Sequence, residues 1–198
     1  MDRGSLAAPA TEVAPLLLGA HLVVGEVVLR ITEVEAYLGD TDPGSHSFRG
    51  QTKRNSTMFG DAGHLYAYFT YGMHVCANVV CGPAGSPSAV LLRAGEIVAG
   101  VDAARRRRTT TKSDVDLARG PARLTVALGI QLSDDGVDLF SGPIRLQLGH
   151  EPVPFLQGPR TGVSGAGGSN DFPWRFWIPG DPTVSPYKAA VAKRRAVA

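Results

Sequence analysis

Ile31-Thr32-Glu33-Val34-Glu35-Ala36-Tyr37 sets two carboxylates and a phenol on alternate residues. The run is rich in β-branched residues and ends at Gly39-Asp40, so it reads as a strand closed by a turn. Side chains alternate across a strand, so Thr32, Val34, Ala36 and Leu38 share one face. Glu33, Glu35 and Tyr37 share the other. That second face is either a solvated strand surface with a Tyr lid or a pocket floor where a flat ring lies beside an acid or base. A second chemical signal is Arg93, near the end of the apolar run Ala89-Val90-Leu91-Leu92-Arg93-Ala94. A cation in such surroundings needs a partner, and a carboxylate is the obvious one.

The elements that would position these groups follow along the chain. Residues 1–10 read as a loose leader, and Ala14–Ala20, with Pro15 and then Leu16-Leu17-Leu18-Gly19, as a short helix stopped by Gly19. His21–Val24 and Glu26–Tyr37 read as strands around Gly25. Asp40–Gly63 is a long polar loop carrying His46, Lys53, Arg54 and Asn55, and a loop of that length points to function. His64–Val80 reads as two strand runs meeting at Tyr71-Gly72. Tyr68 and Asn78 can then face one pocket, with Tyr71 and Met73 near the tip. Gly95–Arg108 reads as a helix with Ile97, Val98, Val101 and Ala104 on one side. Pro121 opens a further helix and Gly129 lies just past its end. The free amides at that start, with Arg119 and Arg123, either hold a phosphate or form an ordinary capped terminus. Val137–Phe140, Pro143–Leu148 and the aromatic run Phe172–Ile178 read as strands. Gly158–Gly168 is glycine-rich without the spacing of a nucleotide-binding fingerprint.

Composition narrows the classes. The chain has 198 residues and no composition break, which indicates one domain. Two cysteines, Cys76 and Cys81, are too few for a disulfide framework, and no Cys/His pair has zinc-ligand spacing. No secretion signal opens the chain and no apolar run is long enough for a membrane, so a reduced, intracellular protein is expected. The net charge is only +2, so a nucleic-acid partner would rest on local clusters: Arg49–Arg54, Arg105–Arg108 and Lys193-Arg194-Arg195. No metal or cofactor site is expected.

Thr32–Gly39, His46-Ser47, Gln51–Asn55 with Met58-Phe59, Leu65–Tyr68, Tyr71-Gly72-Met73, Asn78, Leu91–Ala94, Gly120-Pro121 and the Arg160–Val163 loop form, in this order, a specific set. Through them the chain resembles the alkyladenine (3-methyladenine) DNA glycosylases, over roughly residues 15 to 185. The resemblance implies a mixed α/β (α+β) fold: one compact domain with a curved, mostly antiparallel sheet, flanking helices and a protruding β-hairpin. It also implies that Glu35 activates the attacking water and that Arg93 helps to hold it. Tyr37, His46 and Tyr68 become the walls around an extruded base, and Asn78 the gate against ordinary guanine. Tyr71 becomes the minor-groove wedge with Met73 beside it, and Arg54 and Lys53 become DNA contacts. A backbone carbonyl near Arg160-Thr161 is expected on the same water. Lys53 departs from the family, standing where a proline is often found.

The implied partner is double-stranded DNA with damaged purines, bound by a monomer. The implied reaction is hydrolysis of the N-glycosidic bond in base excision repair. Purines methylated at N3 or N7 carry positive charge, so aromatic walls add a cation–π attraction to stacking. Hypoxanthine and ethenoadenine are further candidate lesions. No Lys sits at the pocket positions to form a Schiff base, so no strand cleavage is expected. Two other readings compete. One is a damaged-DNA-binding module, which would not need Glu35 or Arg93. The other is a carbohydrate hydrolase using Glu33 and Glu35, which puts its two acids side by side instead of on opposite sides of a sugar.

Overall fold

The computed structural model describes residues 2–70, 72–149 and 151–190. Among these, helix α1 (Ala10–Leu17) leads into strands β1 (His21–Val24) and β2 (Val27–Leu38). The hairpin β3 (Leu65–Thr70) and β4 (His74–Cys81) follows, then β5 (Ser88–Ala99), α2 (Val101–Arg107) and α3 (Pro121–Leu128). Short strands β6 (Ile144–Gln147), β7 (Leu156–Gly158) and β8 (Arg175–Trp177) complete the order. The strands form one open sheet in the order β3-β4-β5-β2-β1-β6, with β8 pairing β2 and β7 pairing β8. Every pairing between these strands is antiparallel. This is the single α+β domain expected, with the hairpin at one edge.

β2 is the spine. One side pairs with β5 along nearly its whole length; the other takes β1 at Val27–Arg30 and β8 at Glu33–Glu35. Leu29, Ile31, Val34 and Ala36 are fully buried beneath α1, whose Val13, Ala14 and Leu17 are also sealed from solvent. α3 packs on β4 and β5 through Leu124, Ala127 and Leu128. Each fully buried Leu, Ile or Val stabilises the fold by about 1.5–3 kcal/mol, so the apolar face of β2 anchors the sheet.

The β2–β5 ladder is irregular where the chemistry lies. Ile31 faces Gly95 and Glu33 faces Ala94, leaving Thr32 as an extra residue on β2. Val34 then faces Leu92, leaving Arg93 as an extra residue on β5. Two bulges in succession, one per strand, bend the sheet and re-aim the side chains around them. Thr32 and Glu33 are both fully buried, as are Val34, Glu35 and Ala36 beyond the bulges, because both faces of β2 are covered along this stretch.

Several sequence expectations are corrected here. Residues 1–10 are not a loose leader over their described part: Leu6 is fully buried, Arg3 Nη2 lies 2.6 Å from Asp138, and α1 already begins at Ala10. Gly95–Arg108 is not one helix. β5 runs on to Ala99, Gly100 turns the chain at φ +70°, and only Val101–Arg107 is helical. The reason is cross-strand: Arg30 on β2 pairs with Glu96, and Ile97 is buried between exposed Glu96 and Val98, a period of two. Val137–Phe140 forms turns with a single bridge, His64 to Asp138, and the aromatic strand shrinks to Arg175–Trp177.

The β5–α2 junction yields a test. A Cβ at position 100 would strike the Glu26 carbonyl, and φ there favours glycine. Gly100→Ala should cost about 1–3 kcal/mol from the backbone conformation alone, and more from the clash. Urea denaturation, with an unchanged m value, checks this.

Candidate active site

A cleft of about 350 Å³ opens between the end of β2, the β3–β4 hairpin, the start of α3 and the loop at 160–164. Glu35, Tyr37, His46, Tyr68, Asn78 and Arg93 all line it, as do Tyr66, Cys76, Pro121 and Thr161. The hairpin register explains part of this convergence: Tyr66 pairs with Asn78 and Tyr68 with Cys76, so all four side chains emerge on the cleft face.

Glu35 is fully buried at the floor. Its Oε1 accepts the Thr161 N–H at 2.7 Å and lies 3.3 Å from Arg93 Nη1. Its Oε2 accepts the Tyr37 hydroxyl at 2.9 Å. Burial first, and then the charge of Glu35, hold the Tyr37 phenol well above its usual pKa, so it stays a donor. The amide of residue 161 is thus spent on the carboxylate. The Thr161 hydroxyl is buried with no hydrogen-bond partner among the described residues.

Glu33 does not line the cleft. Its Oε1 accepts from Arg93 Nε at 2.9 Å and from Arg175 Nε at 2.6 Å, and its Oε2 accepts the Ser185 N–H at 2.7 Å. Burial pushes its pKa up, but Arg93 and Arg175 outweigh that and hold it below its usual value. Arg93 has the carboxylate partner its surroundings demanded, and has two of them. Burial alone would lower its pKa, yet Glu35 and Glu33 raise it, so the guanidinium is permanently charged. A carbohydrate-hydrolase pair is excluded, because Glu33 is engaged on both oxygens behind the cleft wall.

The aromatic walls are braced from outside. The His46 and Tyr68 rings meet edge to face with centroids 4.5 Å apart, and Tyr66 stacks on Tyr68 at 5.3 Å. Burial, then the neighbouring Cys76, raise the Tyr68 phenol far above its usual range. Burial and, secondly, the charge of Arg54 lower His46 below 6.5, so it is neutral at pH 7. Tyr37 has the Arg160 guanidinium over its ring at 4.5 Å. Arg160 is itself fully buried, paired to Asp42 through two bonds of 2.6 Å and donating to the Ala36 and Gly167 carbonyls. Asn78 Nδ2 donates to the Tyr66 carbonyl at 3.0 Å, which fixes its side chain against the wall.

The residues expected at DNA are less gathered. Met73 is 69% exposed beside the hairpin tip, and Lys53 and Arg54 are exposed in the loop before β3. Arg54 also braces the hairpin, donating to the Phe69 carbonyl at 2.6 Å. Tyr71 lies outside the described residues, as do Lys193, Arg194 and Arg195. Arg119 and Arg123, the candidate phosphate ligands, both approach Asp116, and Arg119 also donates to the Val184 carbonyl.

Sequence reasoning named the Arg160–Val163 loop only for a backbone contact and missed the buried side chains of Arg160, Asp42 and Arg175 and the Ser185 clamp. A buried arginine announces a carboxylate partner only once its burial is known, and Asp42 stands 118 residues from Arg160.

The cleft belongs to a known class of protein. The model of the methylpurine-DNA glycosylase family matches residues 5–182, and the chain belongs to that family. A protein of Leifsonia xyli subsp. xyli, provisionally named a 3-methyladenine DNA glycosylase, is 60% identical over 195 residues, 94% of this chain and 92% of that protein. Relatives of the same name from Streptomyces avermitilis and Nocardia farcinica are 55% and 54% identical, covering 98% and 87% of this chain and 95% and 84% of their own lengths. No helix among the described residues is long and apolar enough to cross a membrane.

The depressed Glu33 pKa sets a pH dependence. A carboxylate held below its unfolded value of 4.5 stabilises the fold above that pH, and the contribution fades as acid protonates it. Removing one member of a buried ion pair costs about 3–5 kcal/mol. Glu33→Gln should therefore be less stable than wild type by about that amount at pH 7. The gap should narrow as pH falls below 4.5, which urea denaturation at a series of pH values measures.

Proposed function

We propose that this protein is a monofunctional DNA glycosylase that flips alkylated purines, 3-methyladenine and 7-methylguanine foremost, out of duplex DNA and hydrolyses their N-glycosidic bond. The observation that carries this reading is Glu35: a fully buried carboxylate at the floor of an aromatic cleft, gripped by Arg93, Thr161 and Tyr37. A base stacked in a duplex is out of reach, so the target must enter such a pocket to be cut.

Glu35 takes a proton from water as the water oxygen bonds to C1′. The C1′–N bond breaks and its electrons pass to the base. A methylated, cationic purine then leaves neutral, so no acid is needed on that side. The sugar becomes oxocarbenium-like, and the buried carboxylate stabilises its charge. Each Glu35 oxygen has two lone pairs, and Oε2 accepts one hydrogen bond, so Oε2 retains capacity for water. Arg93, charged and held on its far side by Glu33, helps fix that water.

Tyr37, His46 and Tyr68 are the walls, and stacking on such rings is worth about 1–3 kcal/mol per base. A neutral His46 avoids repelling a cationic purine. Asn78 blocks the exocyclic amine of ordinary guanine. Met73, Arg54, Lys53 and Tyr71 contact the DNA, with Tyr71 as wedge in the minor groove. The enzyme acts as a monomer with the genome and leaves an abasic site for base excision repair.

Base release from oligonucleotides that each carry one modified purine tests the reading. Wild type should release 3-methyladenine and 7-methylguanine as free bases without nicking the strand. Glu35→Gln should lose about 10²–10⁴-fold in rate and keep its affinity for lesion DNA. Binding without release by wild type would instead identify a damaged-DNA-binding module. In Glu35→Gln, affinity for 7-methylguanine DNA should hold at pH 7 and through the ordinary histidine range, and weaken only in more acidic solution, where His46, its pKa lowered by burial and Arg54, gains its proton. Fluorescence anisotropy across that range checks it.

A further inference from the structure

Arg93 stands on a bulge, so the β5 ladder alone does not dictate where its guanidinium points. Something else must aim it. Two carboxylates flank it, and they differ in grip: Glu33 takes Nε at 2.9 Å, while Glu35 stands 3.3 Å from Nη1. A guanidinium left beside one carboxylate closes on it as a two-bonded fork. A carboxylate closed in that way has its lone pairs filled and is a poorer base.

Glu33 is in turn clamped by the chain beyond β8. The Ser185 N–H donates to Glu33 Oε2, and the Ser185 hydroxyl accepts from Arg93 Nη2 at 3.3 Å. Arg175 holds Glu33 and donates to the Ser185 carbonyl at 2.9 Å. Two neighbours extend the strap. Thr183 Oγ1 meets the hydroxyl of Thr32, the bulged residue of β2, at 2.8 Å. The Lys188 carbonyl accepts the Gly162 N–H at 2.9 Å, one residue from the Thr161 amide that holds Glu35. Residues 183–188 follow directly on the segment matched by the family model, which ends at 182.

We infer that Glu33 is a positioning residue: it draws the Arg93 guanidinium back from Glu35, and the strap of residues 183–188 holds Glu33 in place. The inference rests on the proposed glycosylase reading and assigns Glu33 no contact with DNA or water. Its effect passes through Arg93, the one guanidinium that bridges it to Glu35.

The test is a double-mutant cycle on single-turnover release of 7-methylguanine from duplex DNA, using wild type, Glu33→Gln, Arg93→Gln and the double variant. Lesion-DNA binding stoichiometry counts folded protein, so each rate is per competent site. Glu33→Gln should slow release about a hundredfold, the scale of a group misplaced by about an ångström, with lesion-DNA affinity within about threefold of wild type. In the Arg93→Gln background the same change should add nothing. A wild-type rate per site in Glu33→Gln overturns the inference, and so does a loss that multiplies in full with that of Arg93→Gln. Where Glu33→Gln does not fold, Glu33→Asp keeps the charge but is one methylene shorter. It should then release base about tenfold more slowly or worse, and a wild-type rate overturns the inference. If wild type itself releases no modified purine, the glycosylase reading falls and this inference falls with it.

Discussion

The buried chain of charges Glu35–Arg93–Glu33–Arg175 is the constraint around which the rest of the molecule is arranged. Two carboxylates and two guanidiniums leave water together, which is tolerable only when nearly every oxygen and N–H has a partner. That condition brings β2, β5, β8 and the segment at 183–188 to one point. It also accounts for the two adjacent bulges, which turn Arg93 and Glu33 toward each other. The aliphatic side of β2 supplies the stability that such polar burial does not.

Glu33 and Glu35, two residues apart, illustrate how location divides labour. Glu33 is held on both oxygens by Arg93, Arg175 and the Ser185 amide and lies behind the wall. Glu35 meets the same Arg93 at a longer distance and opens on the cleft. The difference comes from the groups around them and not from residue type.

Much of this was legible in the sequence. The strand around Glu35, the hairpin with Tyr68 and Asn78 on one face, and the demand of Arg93 for a carboxylate all follow from period and burial rules. The order of short blocks along the chain pointed to the family. What escaped has identifiable causes. A bulge leaves no mark on an apolar–polar alternation, so Glu33 was grouped with Glu35 and Tyr37, although it does not line the cleft with them. Gly95–Ala99 carries apolar residues that suit a helix as well as a strand, and only the cross-strand pair Arg30–Glu96 decides between them. Arg160 and Asp42 meet across a separation over which pairing rules are silent, and Leu6 is buried by neighbours far along the chain.

The arginine behind Tyr37 carries one more implication. A phenol ring backed by a guanidinium that is itself bolted to Asp42 and two carbonyls has little room to swing. The slot it borders therefore keeps its width, so any flat group that the cleft admits meets a fixed gauge and is sorted by its own thickness and outline before the walls make any adjustment.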